Sequence, residues 1–314
     1  MPNYKTEAFL EEALDSVLNQ TFTDYECILV NDGSPGVDIE LFTNNPDSNF
    51  NNTITPSKKI KRVNQCKYIF DKLVGKDGRF RFFDKENGGQ GSARNLGLDN
   101  AKGKYVVFLD CDDLYNPNHL QNYFGQITKY KTKPFVFFYD CNTPPFIVKD
   151  NKICFQKSKA VQQRSKNVNL NTQMVFNQVG TSFGCTPLEL FNIARFSNIT
   201  ESMEDVEIIN TIGFTLQSQG NKLEFVEIKT NTHYHRKHSG SITTRDLKKG
   251  RIVESTDMIK MFNYILETFD LNLRQKILCK LGILRFNINP NKSIFNKLIR
   301  KPLTLSAKII AGWY

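Results

Sequence analysis

Three carboxylates stand close together directly after an apolar segment of the chain. Tyr105–Leu109 is a run of five apolar residues, typical of a strand covered on both faces, and Asp110, Asp112 and Asp113 follow at once. In open α/β sheets, ligands lie beyond the carboxyl ends of the parallel strands. Clustered carboxylates repel each other unless a cation or a proton relieves them, and Mg²⁺ and Mn²⁺ accept such oxygen ligands. The segment therefore predicts a metal site that serves a phosphate-bearing substrate.

Two further groups of polar residues could take part in chemistry. Glu204 and Asp205 lie within ITESMEDVEIIN at the predicted start of a helix, where acids also simply complement the helix dipole. The segment THYHRKHSGSITT carries three of the four histidines, His233, His235 and His238. A zinc site is the alternative interpretation of this segment, but no cysteine lies nearby.

Alternating strand and helix patterns position these residues. Strand patterns occur at 25–30, 80–83, 105–109, 135–139 and 223–228, and helix patterns at 6–19, 66–74, 92–101, 118–129 and 206–219. Residues 36–61 are rich in Asn, Pro and Lys and are predicted to be a surface insertion. The alternation predicts an α/β fold with a mostly parallel sheet flanked by helices.

The composition favours a globular protein in a reducing compartment. The chain has 314 residues, 39% of them hydrophobic, enough for one large domain and an appendage. Its seven cysteines are scattered, odd in number and never in CxxC spacing, which argues against a disulfide scaffold. The sequence shows no signal peptide at Met1 and no apolar run of about 18 residues. We therefore predict a cytoplasmic protein without a membrane-spanning helix.

The net charge of +10 is concentrated near the end of the chain. Residues 271–314 contain nine Lys or Arg residues and no Asp or Glu. Removing these nine from the total of 42 leaves 33 basic residues against 32 acidic ones in residues 1–270. A nearly neutral body argues against a nucleic-acid partner. Residues 246–314 are predicted to form a helical, basic C-terminal region.

Within that region, residues 271–314 are predicted to dock peripherally on the anionic inner face of the cytoplasmic membrane. The proposed contact is an apolar stripe formed by Ile294, Phe295, Leu298 and Ile299, with Lys297, Arg300 and Lys301 on the other side before Pro302 ends the helix. Trp313 and Tyr314 suit the headgroup layer. The alternative is a helical cap on the first domain with a solvated basic face.

Three sequence blocks, in this order, resemble one known family. They are MPNYKTEAFLEEALDSVLNQTF at 1–22, ILVNDGS at 28–34 and ENGGQGSARNLGLDNAKGKYVVFLDCDD at 86–113. Together they resemble the nucleotide-sugar half of the glycosyltransferase family 2 fold, and the resemblance covers residues 2–245. It implies a GT-A, Rossmann-like domain at 1–245, with a nucleotide-sugar half at 1–125 and an acceptor half at 126–245. Acceptor selection is expected within 130–200.

The resemblance implies an inverting, metal-dependent transferase. It would move a single sugar from a nucleotide-sugar donor, with UDP as the expected nucleotide, to a hydroxyl of a glycan or glycolipid in surface polysaccharide synthesis. The QxxRW motif of processive synthases is absent from the sequence, which favours transfer of a single sugar. One alternative is a degenerate domain that binds nucleotide sugar or glycan without turnover. Another is a nucleotidyltransferase, but it would require a Gly-rich, basic loop on the first strand, and the sequence shows none there.

The same resemblance implies roles for individual residues. Asp110 and Asp112 match the family's DxD, so Asp112, with Asp110 and His238, is the implied ligand set for Mn²⁺ or Mg²⁺. In the acidic pair Glu204-Asp205, the second acid is the implied base. The implied donor-binding residues are Pro2, Tyr4, Glu7, Asp32, Arg94, Asp110, Arg236 and Ser241, with Asp32 accepting a hydrogen bond from the nucleotide base.

Several of these residues also have ordinary structural interpretations. Asp32 could cap the turn that follows its own strand, and Arg94 could be a helix-surface residue. Gly88, Gly89 and Gly91 permit a close approach of backbone to ligand, but a lone Gly-rich loop is weak evidence. His119, which follows Asn-Pro, is interpreted as a surface residue.

Compared with the family, the chain is expected to lack its first strand. Members usually open with a short apolar strand that runs into the turn contacting the base, whereas Met1 here directly precedes Pro2-Asn3-Tyr4. That strand is central in the sheet, so losing about five buried aliphatic residues would remove roughly 10 kcal/mol of stability. We expect the true start to lie upstream of Met1; the alternatives are another segment in that position or a weakened domain.

Overall fold

The computed structural model shows an α/β protein followed by a group of helices. It describes residues 1–44, 56–130, 133–140, 144–150, 152–156, 168–176, 180–197, 199–200, 203–239, 250–287 and 294–311. The strands in these residues are β1 (Pro2–Asn3), β2 (Cys27–Asp32), β3 (Val37–Asn44), β4 (Pro56–Val63), β5 (Phe80–Lys85), β6 (Tyr105–Val107), β7 (Leu114–Tyr115), β8 (Val136–Tyr139), β9 (Pro145–Lys149), β10 (Lys152–Phe155), β11 (Gly184–Pro187), β12 (Glu224–Glu227) and β13 (His233–Arg236). The helices are α1 (Glu7–Leu18), α2 (Gln65–Leu73), α3 (Gln90–Asn100), α4 (His119–Ile127), α5 (Leu170–Phe176), α6 (Glu204–Ser218), α7 (Gly250–Thr268), α8 (Leu273–Asn287) and α9 (Ile294–Ala311).

The strands of the α/β core form two main sheets. One has the order β1-β2-β5 and is parallel throughout. The other has the order β12-β8-β11-β6, in which β12 and β8 are parallel while β11 is antiparallel to β8 and β6. A further sheet of four strands, β10-β9-β13-β7, is also mixed. The predicted α/β fold flanked by helices is confirmed, and its sheets contain more antiparallel pairing than we expected.

Pro2 and Asn3, which the expected first strand would precede, themselves form a strand of two residues, β1. β1 pairs in parallel with the end of β2. The Met1 carbonyl accepts a hydrogen bond from the Val30 N–H at 2.9 Å, and the Met1 ammonium donates to the Ile28 carbonyl at 2.9 Å. These bonds fix the turn that contains Tyr4 against the end of β2.

The predicted surface insertion, residues 36–61, contains the stem of a β-hairpin. β3 and β4 pair antiparallel from Val37 opposite Val63 to Asn44 opposite Pro56. At the base of the stem the two strands are close: a Cβ added to Gly36 would lie 2.7 Å from the Val63 carbonyl oxygen. The described part of the insertion is therefore regular, and it leaves the core just after β2 ends.

Two apolar cores support the elements that carry the polar residues. Leu10 and Leu14 of α1, on the predicted helical stripe, are buried with Leu29 of β2. In the second core, the Phe108 and Phe191 rings meet edge to face with centroids 5.7 Å apart. Phe108 lies two residues before Asp110, so this core fixes the end of β6.

The helices α7, α8 and α9 share a third core with α6. Met261 and Phe262 of α7 are buried there with Leu278 of α8 and Ala307 of α9. Met203 and Val206, which flank Glu204 and Asp205, belong to the same core. The predicted C-terminal region is thus helical, and it packs directly on the helix that begins with the acidic pair.

Pro302 does not end its helix, although we predicted that it would. α9 continues through it to Ala311. A proline inside a helix removes one hydrogen bond, and the packing of Ala307 and Ala311 in the third core holds the rest of α9 in place. The side chains of the predicted stripe at 294–299, and the residues Trp313 and Tyr314, lie outside what is described. No helix in the described residues combines the length and the apolar character needed to cross a membrane.

The contact between α7 and α8 provides a test of the third core. A Cβ added to Gly282 would lie 2.4 Å from the Phe262 ring, which is fully buried. We expect Gly282→Ala to lower the free energy of unfolding by about 1–3 kcal/mol, as overpacking does. The matched control is Gly125→Ala in α4, where nothing lies within 4 Å and a gain of about 0.5–1 kcal/mol is expected.

Urea unfolding of both variants measures these changes in the free energy of unfolding. Equal stability of Gly282→Ala and the unmodified chain would mean that α8 does not pack on α7 as described.

Candidate active site

The acidic residues after β6 meet β13 at one end of the molecule. β7 begins directly after Asp113 and pairs antiparallel with β13, His233 opposite Tyr115. This pairing brings the predicted histidine segment beside the predicted metal site, although 120 residues separate His233 from Asp113.

Asp113 is the centre of this contact. Its carboxylate is 2% exposed and lies 2.9 Å from His233 Nε2 and 3.3 Å from His235 Nδ1. It also accepts a hydrogen bond from the Arg236 backbone N–H at 2.9 Å. Burial alone would raise the pKa of Asp113, but the hydrogen bonds from His233 and His235 outweigh burial and hold that pKa well below its usual range. Asp113, which we gave no role beyond the acidic cluster, therefore anchors β13.

Asp112 and His238 form a second pair. His238 Nε2 lies 3.0 Å from Asp112 Oδ2, and the His238 ring packs on Phe9 with centroids 4.4 Å apart. The pKa of Asp112 is raised, first by burial and then by the charges of Asp113 and Asp110. Asp112 is thus the acid of this group whose negative charge is least compensated, which suits it to a cation.

The structure contains no group of three or more His, Cys, Asp or Glu donors that could hold a metal, as far as its residues are described. Mg²⁺ in phosphate-transfer sites is usually held by one or two carboxylates, with substrate phosphates and waters completing the shell. Asp112 supplies one such carboxylate, and the neighbouring His238 adds an imidazole nitrogen beside it. Asp110, also predicted as a ligand, is engaged elsewhere.

Arg94 connects the end of β6 to the start of α6. Its guanidinium is buried and donates to Glu204 Oε1 at 2.9 Å and to Asp110 Oδ1 at 3.1 Å. It also donates to Ser182 Oγ at 3.1 Å, and the Ser182 hydroxyl donates to Asp110 Oδ2 at 3.1 Å. Gln90 Nε2 donates to Asp110 Oδ1 at 2.8 Å. The interpretation of Arg94 as a helix-surface residue is therefore excluded.

The acidic pair occupies the first turn of α6. The Val206 N–H donates to Asp205 Oδ1 at 2.8 Å, and Glu204 pairs with Arg94. The pKa of Asp205 is raised to about 7, by burial first and then by Glu204, while Arg94 lowers it. A carboxylate whose pKa lies near neutrality is suited to accept a proton and release it again.

Asp32 holds the Gly-rich turn that precedes α3. Its two oxygens accept hydrogen bonds from the Gly88 N–H at 3.0 Å and the Gly89 N–H at 2.8 Å, and Lys85 Nζ lies 2.6 Å away. Gly89 has a φ of +86°, which explains a glycine there. Contact of Asp32 with a nucleotide base stays a prediction.

The other predicted donor-binding residues lie near the start of the chain or in β13. Pro2 is in β1, Tyr4 is half exposed just beyond it, and Glu7, the first residue of α1, accepts a hydrogen bond from Asn3 Nδ2 at 3.1 Å. Ser241 lies outside the described residues.

Arg236, predicted to reach a diphosphate, is buried in this structure. Its Nε donates to the Asp112 carbonyl at 2.8 Å, and Nη2 lies 2.6 Å from Glu12 Oε2. The guanidinium also stacks on Phe9 and Phe146, with its carbon 5.0 and 4.6 Å from the ring centroids. Arg236 thus ties β13 to α1 and to the predicted metal site.

Three residues with buried polar roles were missed or misjudged from the sequence. His119 is 2% exposed, stacks on Tyr115 at 3.8 Å and bonds Thr232 Oγ1 at 2.9 Å, so the surface interpretation was wrong. Burial and the charge of His233 hold the pKa of His119 well below its usual value. Ser182 lies in a segment without periodicity, and Glu207, buried against Thr200, was hidden in a helical pattern.

This fold is that of a GT-A-type glycosyltransferase. The family described as "Glycosyl transferase family 2" matches residues 1–40 and 63–182, about half of the chain. The chain belongs to glycosyltransferase family 2. The gap in the match coincides with most of the β3–β4 insertion.

Individual relatives and structures agree with this assignment. The minor teichoic acid biosynthesis protein GgaB of Bacillus subtilis is 27% identical over 281 residues, which is 87% of this chain and 26% of that protein. S. aureus TarS 1-349 in complex with UDP-GlcNAc superposes with a TM-score of 0.60 at 18% identity, covering 98% of this chain and 77% of that one. The mannosyltransferase PcManGT from Pyrobaculum calidifontis, in complex with GDP-Man and Mn²⁺, gives 0.58 at 14% identity, covering 99% and 73%. The chain spans well under half the length of the curated relatives that it matches.

The electrostatics of the acidic pair can be tested directly. We expect Glu204→Gln to lower the pKa of Asp205, because the charge of Glu204 is one of the causes that raise it. Carboxyl ¹³C NMR over a pH titration measures this shift, with Asp99→Asn as the matched control because Asp99 is exposed and pairs only with a surface Arg195 in the described structure. An Asp205 that titrates at the same pH in Glu204→Gln and the unmodified chain would contradict the described arrangement.

Proposed function

We propose that this chain is an inverting, metal-dependent glycosyltransferase that moves one sugar from a nucleotide donor to a hydroxyl of a glycan or glycolipid in surface polysaccharide synthesis. One observation carries the proposal: a single buried guanidinium, Arg94, joins Asp110 at the strand end to Glu204, beside the near-neutral Asp205. A UDP-sugar is the preferred donor, supported by the UDP-GlcNAc bound to TarS 1-349. The B. subtilis relative named for teichoic acid biosynthesis supports a surface polymer as the product.

Asp205 would act as the base. In its ionised form it takes the proton of the acceptor hydroxyl while that oxygen bonds to C1 of the sugar. The bond from C1 to the diphosphate oxygen breaks at the same time, and the nucleoside diphosphate leaves with the electron pair. Direct displacement from the far side inverts C1 and needs no covalent residue. Glu204, held by Arg94, positions Asp205 and keeps its pKa high.

Asp112 and His238 would hold Mn²⁺ or Mg²⁺, with Asp110 near the ribose or the metal. Their arrangement leaves the rest of the coordination shell to the diphosphate of the donor. When bound, such a cation neutralises the negative charge that develops on the leaving diphosphate.

The donor's nucleoside would lie where β1 and β2 end. Pro2, Tyr4 and Glu7 would line one side of this position, and Asp32, which holds the Gly-rich turn, would lie on the other. Arg236 and Ser241 would complete the diphosphate contacts from β13 and the residues after it. To reach the diphosphate, Arg236 exchanges its bond to Glu12 for one to the donor.

Turnover experiments on point variants test this function. With UDP-sugars and Mn²⁺, Asp205→Asn should lower kcat by about 10²–10⁴, because a positioned proton acceptor is lost, and leave UDP affinity unchanged. Asp112→Asn should abolish the gain in UDP affinity that Mn²⁺ gives, measured by calorimetry without turnover. The kcat of the unmodified enzyme should rise with pH through about 7 as Asp205 loses its proton.

Asp99→Asn is the matched control, since Asp99 is exposed on α3. Full activity in excess EDTA would exclude the metal, and a product of retained anomeric configuration would exclude the role of Asp205. A chain that binds UDP-sugar but never releases UDP would instead be the degenerate binding domain.

We also propose that the C-terminal helices contact an anionic membrane, through a different stripe from the predicted one. The outward face of α8 carries Leu273, Ile277 and Leu284, all exposed, with Lys276 and Lys280 on the same face of the helix. Exposed apolar residues among cations, without any acid in 271–314, suit an anionic interface. A symmetric contact between two copies would place these cations against each other, which disfavours a dimer.

Vesicle sedimentation tests the membrane contact. The triple variant Leu273→Gln, Ile277→Gln, Leu284→Gln should bind phosphatidylglycerol vesicles at least tenfold more weakly, because apolar contact area is lost. The control replaces three exposed apolar residues elsewhere, Tyr68, Val148 and Ile153, with Gln. Equal binding of both triple variants, or equal binding to neutral and anionic vesicles, would refute the contact.

A further inference from the structure

An aromatic side chain is exposed at the edge of the β10-β9-β13-β7 sheet. Phe155, the last residue of β10, is 55% exposed. Its ring is held from two sides, by Tyr234 at 4.9 Å and by Phe146 at 6.4 Å between centroids, both edge to face. Tyr234 is itself fixed, because Asn116 Nδ2 bonds its hydroxyl at 2.9 Å. Phe155 is therefore a rigidly oriented apolar surface in contact with water.

The register of the strands connects this ring to the candidate active site. Phe155 is opposite Phe146 on β9, and Phe146 is opposite Arg236 on β13, so the three residues form one row on one face of the sheet. Arg236 Nε bonds the Asp112 carbonyl at 2.8 Å. With strands about 4.8 Å apart, Phe155 lies roughly 10 Å along the row from Arg236. A short saccharide spans such a distance.

We propose that Phe155, backed by Tyr234, is an acceptor subsite that stacks on the apolar face of a pyranose ring. The C–H groups on one face of a pyranose are weakly positive, and they match the negative face of an aromatic ring. Val148 and Ile153, paired across the same hairpin and exposed, widen the apolar surface. This inference rests on the proposed function, since it names the part of the acceptor that the transferase holds.

Two other kinds of ligand, a nucleotide base and an acceptor without a ring, fit the position less well. The nucleotide base belongs to the β1-β2-β5 sheet, where Asp32 and Tyr4 lie, rather than to the sheet of β10. An open-chain polyol phosphate has hydroxyls and charges along its whole length and presents no apolar face to a phenyl ring. The sugar ring of the acceptor is the remaining match.

Acceptor kinetics test the subsite. With methyl hexopyranosides as acceptor probes, Phe155→Ala should raise the acceptor KM about two- to tenfold, the worth of one aromatic contact, with kcat and donor KM unchanged. Phe155→Trp should keep the low KM, whereas Phe155→Leu should behave like Phe155→Ala, because a ring face is required rather than an apolar volume. Glycerol phosphate, a ringless acceptor probe, should show no change. Tyr68→Ala on α2, another exposed aromatic, is the control.

Saturation-transfer NMR provides a readout without turnover. In the unmodified chain, irradiation of the protein should transfer magnetisation to the C–H protons of one pyranose face, and Phe155→Ala should weaken this transfer and remove its preference for one face. Equal KM and equal transfer in both chains would overturn the subsite, as would a loss that glycerol phosphate shares. If no donor releases UDP, the proposed function fails, while the NMR experiment still decides whether Phe155 binds a sugar ring.

Discussion

The described structure depends on one buried cation. Arg94 lies in α3, the helix after the Gly-rich turn. Its guanidinium compensates the charges of Asp110, which follows β6, and of Glu204 in α6, and it also donates a hydrogen bond to the Ser182 hydroxyl. Breaking such a buried pair costs about 3–5 kcal/mol, because the partner acids are left without compensation. The position of α6, and with it the environment of Asp205, follows from where this guanidinium lies.

The polar residues of the site form hydrogen bonds and ion pairs with one another. Asp113 is bound by two histidines and a backbone amide, Asp32 by two glycine amides, and Arg236 by Glu12. A donor that binds as proposed would therefore meet a framework that is already ordered, so less conformational entropy would be lost on binding. Asp112 is paired with His238, yet burial first, and then the charges of Asp113 and Asp110, raise its pKa. The negative charge of Asp112 is therefore unfavourable in this framework, and a bound cation would stabilise it.

The sequence predicted the secondary-structure elements that have strong hydrophobic patterns. It indicated candidate site residues within the blocks that resemble the family. Apolar runs gave β2, β5, β6 and α1 to within a few residues, because periodicity reports burial directly. Contacts between segments far apart in the sequence could not be predicted. Ser182, which bonds Asp110, has no pattern around it, and His119 bonds Thr232, which lies more than a hundred residues later. The β3–β4 stem did have a signal, the alternation VDIEL at 37–41, which was overlooked among the polar residues that follow. Pro302 was misjudged because packing outweighed a local preference.

The β3–β4 hairpin has a consequence for how this chain can diverge. β3 leaves the core next to the point where β4 returns to it, with Val37 opposite Val63. Along the described stem the two strands form backbone hydrogen bonds with each other. A change in length beyond the stem therefore transmits no displacement to Asp32, and it adds only a slowly growing entropy of loop closure. We therefore expect the length of this hairpin to vary among related chains independently of Asp32 and the residues around it.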